Sequence, residues 1–123
     1  MSQLILIVDD NENNRKLARD VLEFAGFSTV EATGGVEGVA LAMEHTPDLV
    51  LMDIRMPDLS GTEALQLLRE DSRTAEIPIV ALTSSTMRGD EQRFLAEGFD
   101  GYVAKPVNLR ELLGSVRFHC GAG

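Results

Sequence analysis

Leu4-Ile5-Leu6-Ile7-Val8-Asp9-Asp10-Asn11 runs through five apolar residues and then turns abruptly acidic. A run this short, apolar without alternation, fits a strand buried on both faces. The pattern returns at Leu49 to Met52, closed by Asp53, and at Ile77 to Leu82, closed by Thr83 and Ser84. Ser28 to Glu31 and Tyr102 to Ala104 complete a set of five predicted strands. Each connection is long enough for a helix, as crossovers between parallel strands require. The expected fold is therefore α/β: a doubly wound, five-stranded parallel sheet with helices on both faces, which binds ligands beyond the carboxyl ends of its strands.

The intervening segments carry helical signals. Leu17, Val21 and Leu22 follow the polar stretch Asp10 to Asn14 at helical spacing, and Gly26 stands where a C-cap glycine is expected. Val36, Val39, Ala40 and Met43 are expected to form the buried stripe of a second helix. Ser60-Gly61-Thr62-Glu63 and Asn108-Leu109-Arg110-Glu111 have the spacing of capping boxes, the latter leading into Leu109, Leu112, Leu113 and Val116 on one face. Thr86 to Glu97 is expected to be a loosely held helix, because Gly89 interrupts it and Met87, Phe94 and Leu95 are its only large apolar residues.

With 123 residues the chain has room for one core, and 44% hydrophobic against 25% charged residues is the balance of a globular domain. Eleven basic against twenty acidic residues leave a net charge of -9, which opposes docking on nucleic acid or an anionic membrane. The opening apolar run is too short for a membrane span or an export signal, and the lone Cys120 cannot form an internal disulfide. A cytoplasmic location is expected. Residues 1–119 are expected to form the domain, with 120–123 as a short flexible tail and no effector domain.

Taken at the predicted strand ends, Asp9, Asp10, Asp53, Thr83, Ser84 and Lys105 are all polar. Any one such aspartate is explained by capping a turn or helix. Three carboxylates on one rim are not, since two unit charges 4 Å apart repel by about 4 kcal/mol at an effective dielectric near 20. A cation has to offset them. Oxygen-only ligation by so few side chains suits Mg²⁺, which keeps several waters and leaves room for a phosphoryl group. A carboxylate nucleophile with Lys105 and Thr83 opposite it then reads as phosphoryl-transfer chemistry. Asp53 is the expected nucleophile, because Asp9 and Asp10 are better placed as a pair to hold the metal.

Ile7-Val8-Asp9-Asp10-Asn11, Leu51-Met52-Asp53-Ile54-Arg55-Met56-Pro57 with Gly61, Ala81-Leu82-Thr83 and Lys105-Pro106 occur in the order and spacing of a known family. In these motifs, over essentially its whole length, the chain resembles the CheY-like receiver domains of two-component response regulators. The resemblance implies strand order 2-1-3-4-5 with five helices. It implies that Asp53 accepts the phosphoryl group, with Asp10, Asp53 and the backbone carbonyl of Arg55 binding Mg²⁺ and Asp9 acting through a water of the metal. It implies that Thr83 and Tyr102 form a switch pair, that Lys105 pairs with the phosphoryl group, and that the Lys105-Pro106 bond is cis. Self-phosphorylation from a phosphodonor and autodephosphorylation would be the only catalysis. A histidine kinase or phosphotransfer protein would be the donor, and an unidentified protein the downstream target. The opening Asp10-Asn11-Glu12-Asn13-Asn14-Arg15 is also similar to receivers of hybrid kinases and relay proteins, and to a small stand-alone cell-fate regulator.

Arg55 and Ser84 depart from the commonest receiver pattern and flank the path of the attacking water, so both are expected to set the lifetime of the phosphorylated state. Arg15 and Arg19, one helical turn apart, are expected on a solvated face, though with Lys16 they flank the acidic rim where a kinase could dock. His45 and His119 have no metal-ligand spacing to a partner. A haloacid-dehalogenase-like Mg²⁺ phosphatase is the alternative enzyme class, but it needs a second acid where this chain has Arg55. A receiver that works without phosphorylation would not need the full set of site residues.

Overall fold

The computed structural model describes residues 3–83, 90–105 and 108–120, and of 90 and 91 the backbone only. Strands and helices alternate throughout: β1 (Leu4–Val8), α1 (Glu12–Phe24), β2 (Ser28–Ala32), α2 (Gly35–His45), β3 (Leu49–Asp53), α3 (Gly61–Glu70), β4 (Ile79–Thr83), α4 (Asp90–Glu97), β5 (Gly101–Ala104) and α5 (Leu109–His119). The five strands are parallel, in the order β2-β1-β3-β4-β5. Ser84, the Thr86 to Gly89 part of the expected helix, Pro106 with its expected cis bond, and 121–123 of the expected tail lie outside the described residues.

Alternation along the central strands divides the interior in two. Leu6, Val8, Val50 and Met52 face Ala42, Ala64, Leu65, Leu68 and Phe94, so α2, α3 and α4 cover one side of the sheet. Ile5, Ile7, Leu49 and Leu51 face Ala18, Leu22, Leu112 and Val116, so α1 and α5 cover the other. Every residue of β3 and β4 is buried, as their unbroken apolar runs require. β4 begins two residues later than Ile77, because Pro78 has no N–H for the ladder and only its carbonyl pairs, accepting from Val50 N at 3.0 Å.

The helix starts follow their caps. Asn11 accepts from Asn14 N, Ser60 and Glu63 form a reciprocal capping box, and Asn108 accepts from Arg110 N and Glu111 N. α2 borrows its cap from another loop: both carboxylate oxygens of Asp58 accept from it, Gly35 N at 3.0 Å and Val36 N at 3.1 Å. Those bonds hold the Asp58 carboxyl below its usual range and tie α2 to the loop between β3 and α3.

Some expected core faces are rotated. In α2 the buried positions are Gly35, Gly38 and Ala42, with Val39 and Met43 half-buried, whereas Val36 and Ala40 face solvent. The cause is close approach at Gly38, where a Cβ would lie 2.8 Å from both methyl carbons of Val8. Small residues therefore form the contact face, and the larger ones beside them turn outward. Leu17 in α1 and Leu109 in α5 are likewise exposed, because Ala18 with Leu22, and Leu112 with Val116, already fill the space above the sheet.

Two glycine-to-alanine substitutions in helices should therefore have opposite signs. Gly114→Ala in α5 meets nothing within 4 Å and should gain about 0.5–1 kcal/mol from helix propensity. Gly38→Ala gains the same intrinsic term but overpacks against Val8, at a cost of about 1–3 kcal/mol, so the net effect should be destabilising. Urea unfolding of the two variants checks both signs.

Candidate active site at the carboxyl ends of the strands

β1 and β3 are in register with Val8 opposite Met52, so one further step sets Asp9 beside Asp53. Both aspartates are buried, at 0% and 5% exposure, whereas Asp10 on the turn into α1 is open to solvent. Carboxylate oxygens of Asp9, Asp10 and Asp53 all lie within 4.8 Å of one another. Thr83 ends β4 with 3% exposure, and its carbonyl accepts from Lys105 N at 2.7 Å, which continues the β4–β5 pairing one residue past Ala104 and fixes the lysine backbone beside the strand end. The Lys105 ammonium lies 3.0 Å from Asp9 Oδ2 and 3.3 Å from Asp53 Oδ1. Residues predicted from four strand ends thus meet at one rim.

The loop after Asp53 folds back on the site. Arg55 N donates to Asp53 Oδ1 at 3.3 Å, and Gly61 N closes the loop on the carbonyl of Ile54 at 2.9 Å. A Cβ on Gly61 would fall 2.5 Å from the carbonyl oxygen of Asp53, so glycine is needed for this closure. The Arg55 side chain is exposed. Tyr102 is half-buried against the α2–α4 side of the core and lines a hollow of about 440 Å³ with Glu111, Gly114 and Ser115 of α5.

Charge is unbalanced here. Three carboxylates around one ammonium leave two negative charges uncompensated, which a dication matches. Asp9 Oδ2 is buried, and the Lys105 ammonium 3.0 Å away is its partner, an ion pair without well-aligned hydrogen-bond geometry. A buried carboxylate oxygen without an aligned donor, in an all-oxygen cluster, fits a hard cation such as Mg²⁺. Burial, then the charge of Asp9, push the Asp53 carboxyl up to about 6, against the opposing pull of Lys105 and of the Arg55 amide. Burial works against the Lys105 ammonium, but its contact with Asp9 and the charges of Asp53 and Asp9 outweigh that and raise it.

Three residues that sequence reasoning left aside support this rim. Arg15 does not lie on a solvated face: its side chain is only 13% exposed and donates from Nη1 to the carbonyl of Asp9 at 2.8 Å. Glu31 on β2 faces it, with Oε1 3.4 Å from Arg15 Nε. The third is Asp58, which anchors the loop carrying Arg55 to α2. A carboxylate near the end of β2 and a helical arginine pair are the only trace of the first two in the sequence.

The response regulator receiver domain family matches residues 5–117, and the chain belongs to that family. Among proteins of known role it is 39% identical over 121 residues to the polar-differentiation response regulator DivK of Brucella ovis, covering 98% of both chains. The receiver domain of sensor histidine kinase PA1611 from Pseudomonas aeruginosa, whose structure has a magnesium ion coordinated in its active-site cleft, is 31% identical with a TM-score of 0.90, covering 98% of this chain and 99% of that one. The chemotaxis protein CheY4 of Vibrio cholerae is 30% identical with a TM-score of 0.89, covering 96% and 98%. The chain is thus a DivK-like receiver of two-component signalling, a family that is phosphorylated on aspartate with Mg²⁺.

The raised Asp53 carboxyl makes stability depend on pH. Between about pH 4 and 6 the folded chain holds a proton that the unfolded chain has released, so this group's contribution falls as pH rises through that window. In metal-free buffer at pH 7.5, Asp53→Asn should be more stable than wild type by up to about 3 kcal/mol, and the gap should close toward pH 4. Guanidinium unfolding at both pH values measures it; a variant less stable at pH 7.5 would mean that pairing with Lys105 outweighs burial.

Proposed function

We propose that this receiver takes a phosphoryl group from a partner's phosphohistidine onto Asp53 and signals by a phosphorylation-dependent change in its contacts with other proteins. The observation that carries this reading is the Lys105 ammonium lying between the buried carboxylates of Asp9 and Asp53, at 3.0 and 3.3 Å, on the rim where Asp10 joins them. Mg²⁺, held by Asp10, Asp53 and the carbonyl of Arg55 with Asp9 behind them, would offset negative charge on the phosphoryl oxygens. Asp53 forms the new P–O bond with a carboxylate oxygen while the donor's P–N bond breaks and its electron pair returns to the imidazole. Lys105 pairs with one phosphoryl oxygen and the Thr83 hydroxyl donates to another. The same arrangement supports self-phosphorylation from a small phosphodonor and autodephosphorylation. Arg55 and Ser84 are assigned the lifetime of the acyl phosphate, Arg55 because its exposed cationic side chain follows the acceptor.

The donor is a histidine kinase or phosphotransfer protein. To reach Asp53 it must cover the rim where α1 and α5 begin; an apolar hollow between the last turn of α1 and the start of α5, lined by Val21, Phe24, Leu109 and Leu113, offers further contact area. Output is assigned to α4, β5 and α5, where Tyr102 borders the hollow against α5. Among the described residues no helix is long and apolar enough to cross a membrane, in keeping with a cytoplasmic partner system.

With Mg²⁺ and acetyl phosphate, a hydroxylamine-labile phosphoryl group should form at Asp53, because acyl phosphates react in that way. Mass spectrometry after hydroxylamine treatment locates it, and label entering Asp53→Asn at the wild-type rate would overturn the assignment.

Thr83 and Tyr102 can be tested as a switch pair by fluorescence, since the chain has no Trp and only one Tyr. Movement of Thr83 toward the phosphoryl oxygens would let the half-buried Tyr102 ring turn inward. Tyrosine emission should change, and iodide quenching should fall, when Mg²⁺ and beryllofluoride are added. Thr83→Ala should weaken the response without abolishing phosphorylation. An unchanged profile with Asp53 demonstrably occupied would remove Tyr102 from the signalling route.

A further inference from the structure

We propose that Arg15 is a positioning residue for the acidic site, held by Glu31 and acting through the backbone carbonyl of Asp9. This role rests on the Mg²⁺ site argued above. The β1–β2 ladder ends with Val8 opposite Ala32, so Asp9 lies one residue beyond its last rung. Its N–H still reaches the carbonyl of Ala32 at 3.2 Å, but β2 has no further residue to bond its carbonyl. Arg15 Nη1 takes that place from α1, at 2.8 Å. The guanidinium is aimed by Glu31, which gives one carboxylate oxygen to Arg15 at 3.4 Å and the other to Arg19 at 3.2 Å. Consecutive residues of β2, Glu31 and Ala32, thereby fix the Asp9 peptide at both ends.

The carboxylates feel this tether directly. The Asp9 carbonyl begins the turn that carries Asp10, and Asn11 N closes that turn on Asp9 Oδ1 at 2.9 Å. A freed carbonyl would let the turn rotate, moving the buried Asp9 carboxylate away from Lys105 and Asp10 away from Asp53. The guanidinium holds the Asp9 carbonyl at Nη1 and the Glu31 carboxylate at Nε in one fixed plane; a lysine ammonium has three donors but a single nitrogen, with no rigid fork to span those two positions. Arg15 also carries positive charge toward a site that would bind a cation. On charge alone it would weaken Mg²⁺ binding, so position and charge predict opposite signs.

Mg²⁺ titrations by calorimetry of wild type, Arg15→Lys, Arg15→Gln and Arg19→Gln separate the two. Positioning predicts that both Arg15 variants bind Mg²⁺ about tenfold more weakly, the lower end of the loss seen when a group that orients metal ligands is removed. It predicts that Arg19→Gln binds no more weakly than wild type, since Arg19 does not touch Asp9. Wild-type affinity in Arg15→Lys, or tighter binding by Arg15→Gln, would overturn the role and leave Arg15 as a charge. If circular dichroism shows that the Arg15 variants do not fold, Glu31→Gln decides instead: it keeps Arg15 but loosens its aim, and an affinity equal to wild type would overturn the proposal. A wild-type chain indifferent to Mg²⁺ would overturn the metal site and this role together, which distinguishes that failure from one confined to Arg15.

Discussion

One ammonium between two buried carboxylates is the constraint around which this molecule is arranged. Lys105 reaches Asp9 at 3.0 Å and Asp53 at 3.3 Å, and with Asp10 nearby the cluster keeps an excess of negative charge. Such a cluster opposes its own assembly, since each carboxylate gives up water and faces a like charge. It persists because its residues are not free to separate. Asp9 and Asp53 extend adjacent strands whose register is held by apolar side chains on both faces of the sheet, and the Lys105 backbone is fixed beside β4 by a bond to the Thr83 carbonyl. Stability gained in the core is used to hold unfavourable charge at the rim, where in the proposed function a cation would offset it and Asp53 would accept the phosphoryl group.

The fold delivers these groups through short paths. Asp9, Asp53, Thr83 and Lys105 are each at or within one residue of the carboxyl end of a strand, so their backbones inherit the rigidity of the sheet. The loops beyond have separate anchors. Asp58 bonds the β3–α3 loop to α2, Gly61 closes that loop on Ile54, and Arg15 with Glu31 holds the β1–α1 turn to β2. α2, pressed against Val8 at Gly38 and bound by Asp58 at its start, bridges the strand that carries Asp9 and the loop that carries Arg55. A disturbance at either would be felt by the other through a helix with little room to shift.

How much of this can be read from the chain depends on how local the cause is. Leu4 to Val8 and Leu49 to Met52 are legible as central strands because burial on both faces leaves no polar alternation, and their acidic endings mark the rim. Ser60 with Glu63, and Asn108, are legible because a cap is settled within four residues. The inward face of α2 is not: Val36 looks like core until Gly38 is known to rest on Val8, a contact between residues thirty positions apart in the chain. Arg15 is illegible for the same reason. An arginine one turn before another has the spacing of a solvated face, and only the meeting of α1 with the end of β2 reveals a carbonyl that needs a donor.

Position along the strands also explains why the site can be both rigid and responsive. Asp9 and Asp53 are buried and held by neighbours on two sides, whereas Asp10 and the Arg55 side chain stand in solvent at the same rim. A ligand therefore meets a fixed inner pair and an adaptable outer pair. Differential affinity, the only means by which a ligand can shift a conformational equilibrium, arises where fixed and movable groups must come together around it. In the proposed function Thr83 is the link outward. It closes β4 next to Asp53, and its register partner Ala104 follows Tyr102 by two residues along β5, the edge strand of the sheet. On that proposal, a displacement at the phosphoryl site needs to cross only one strand to reach the surface formed by β5 and α5.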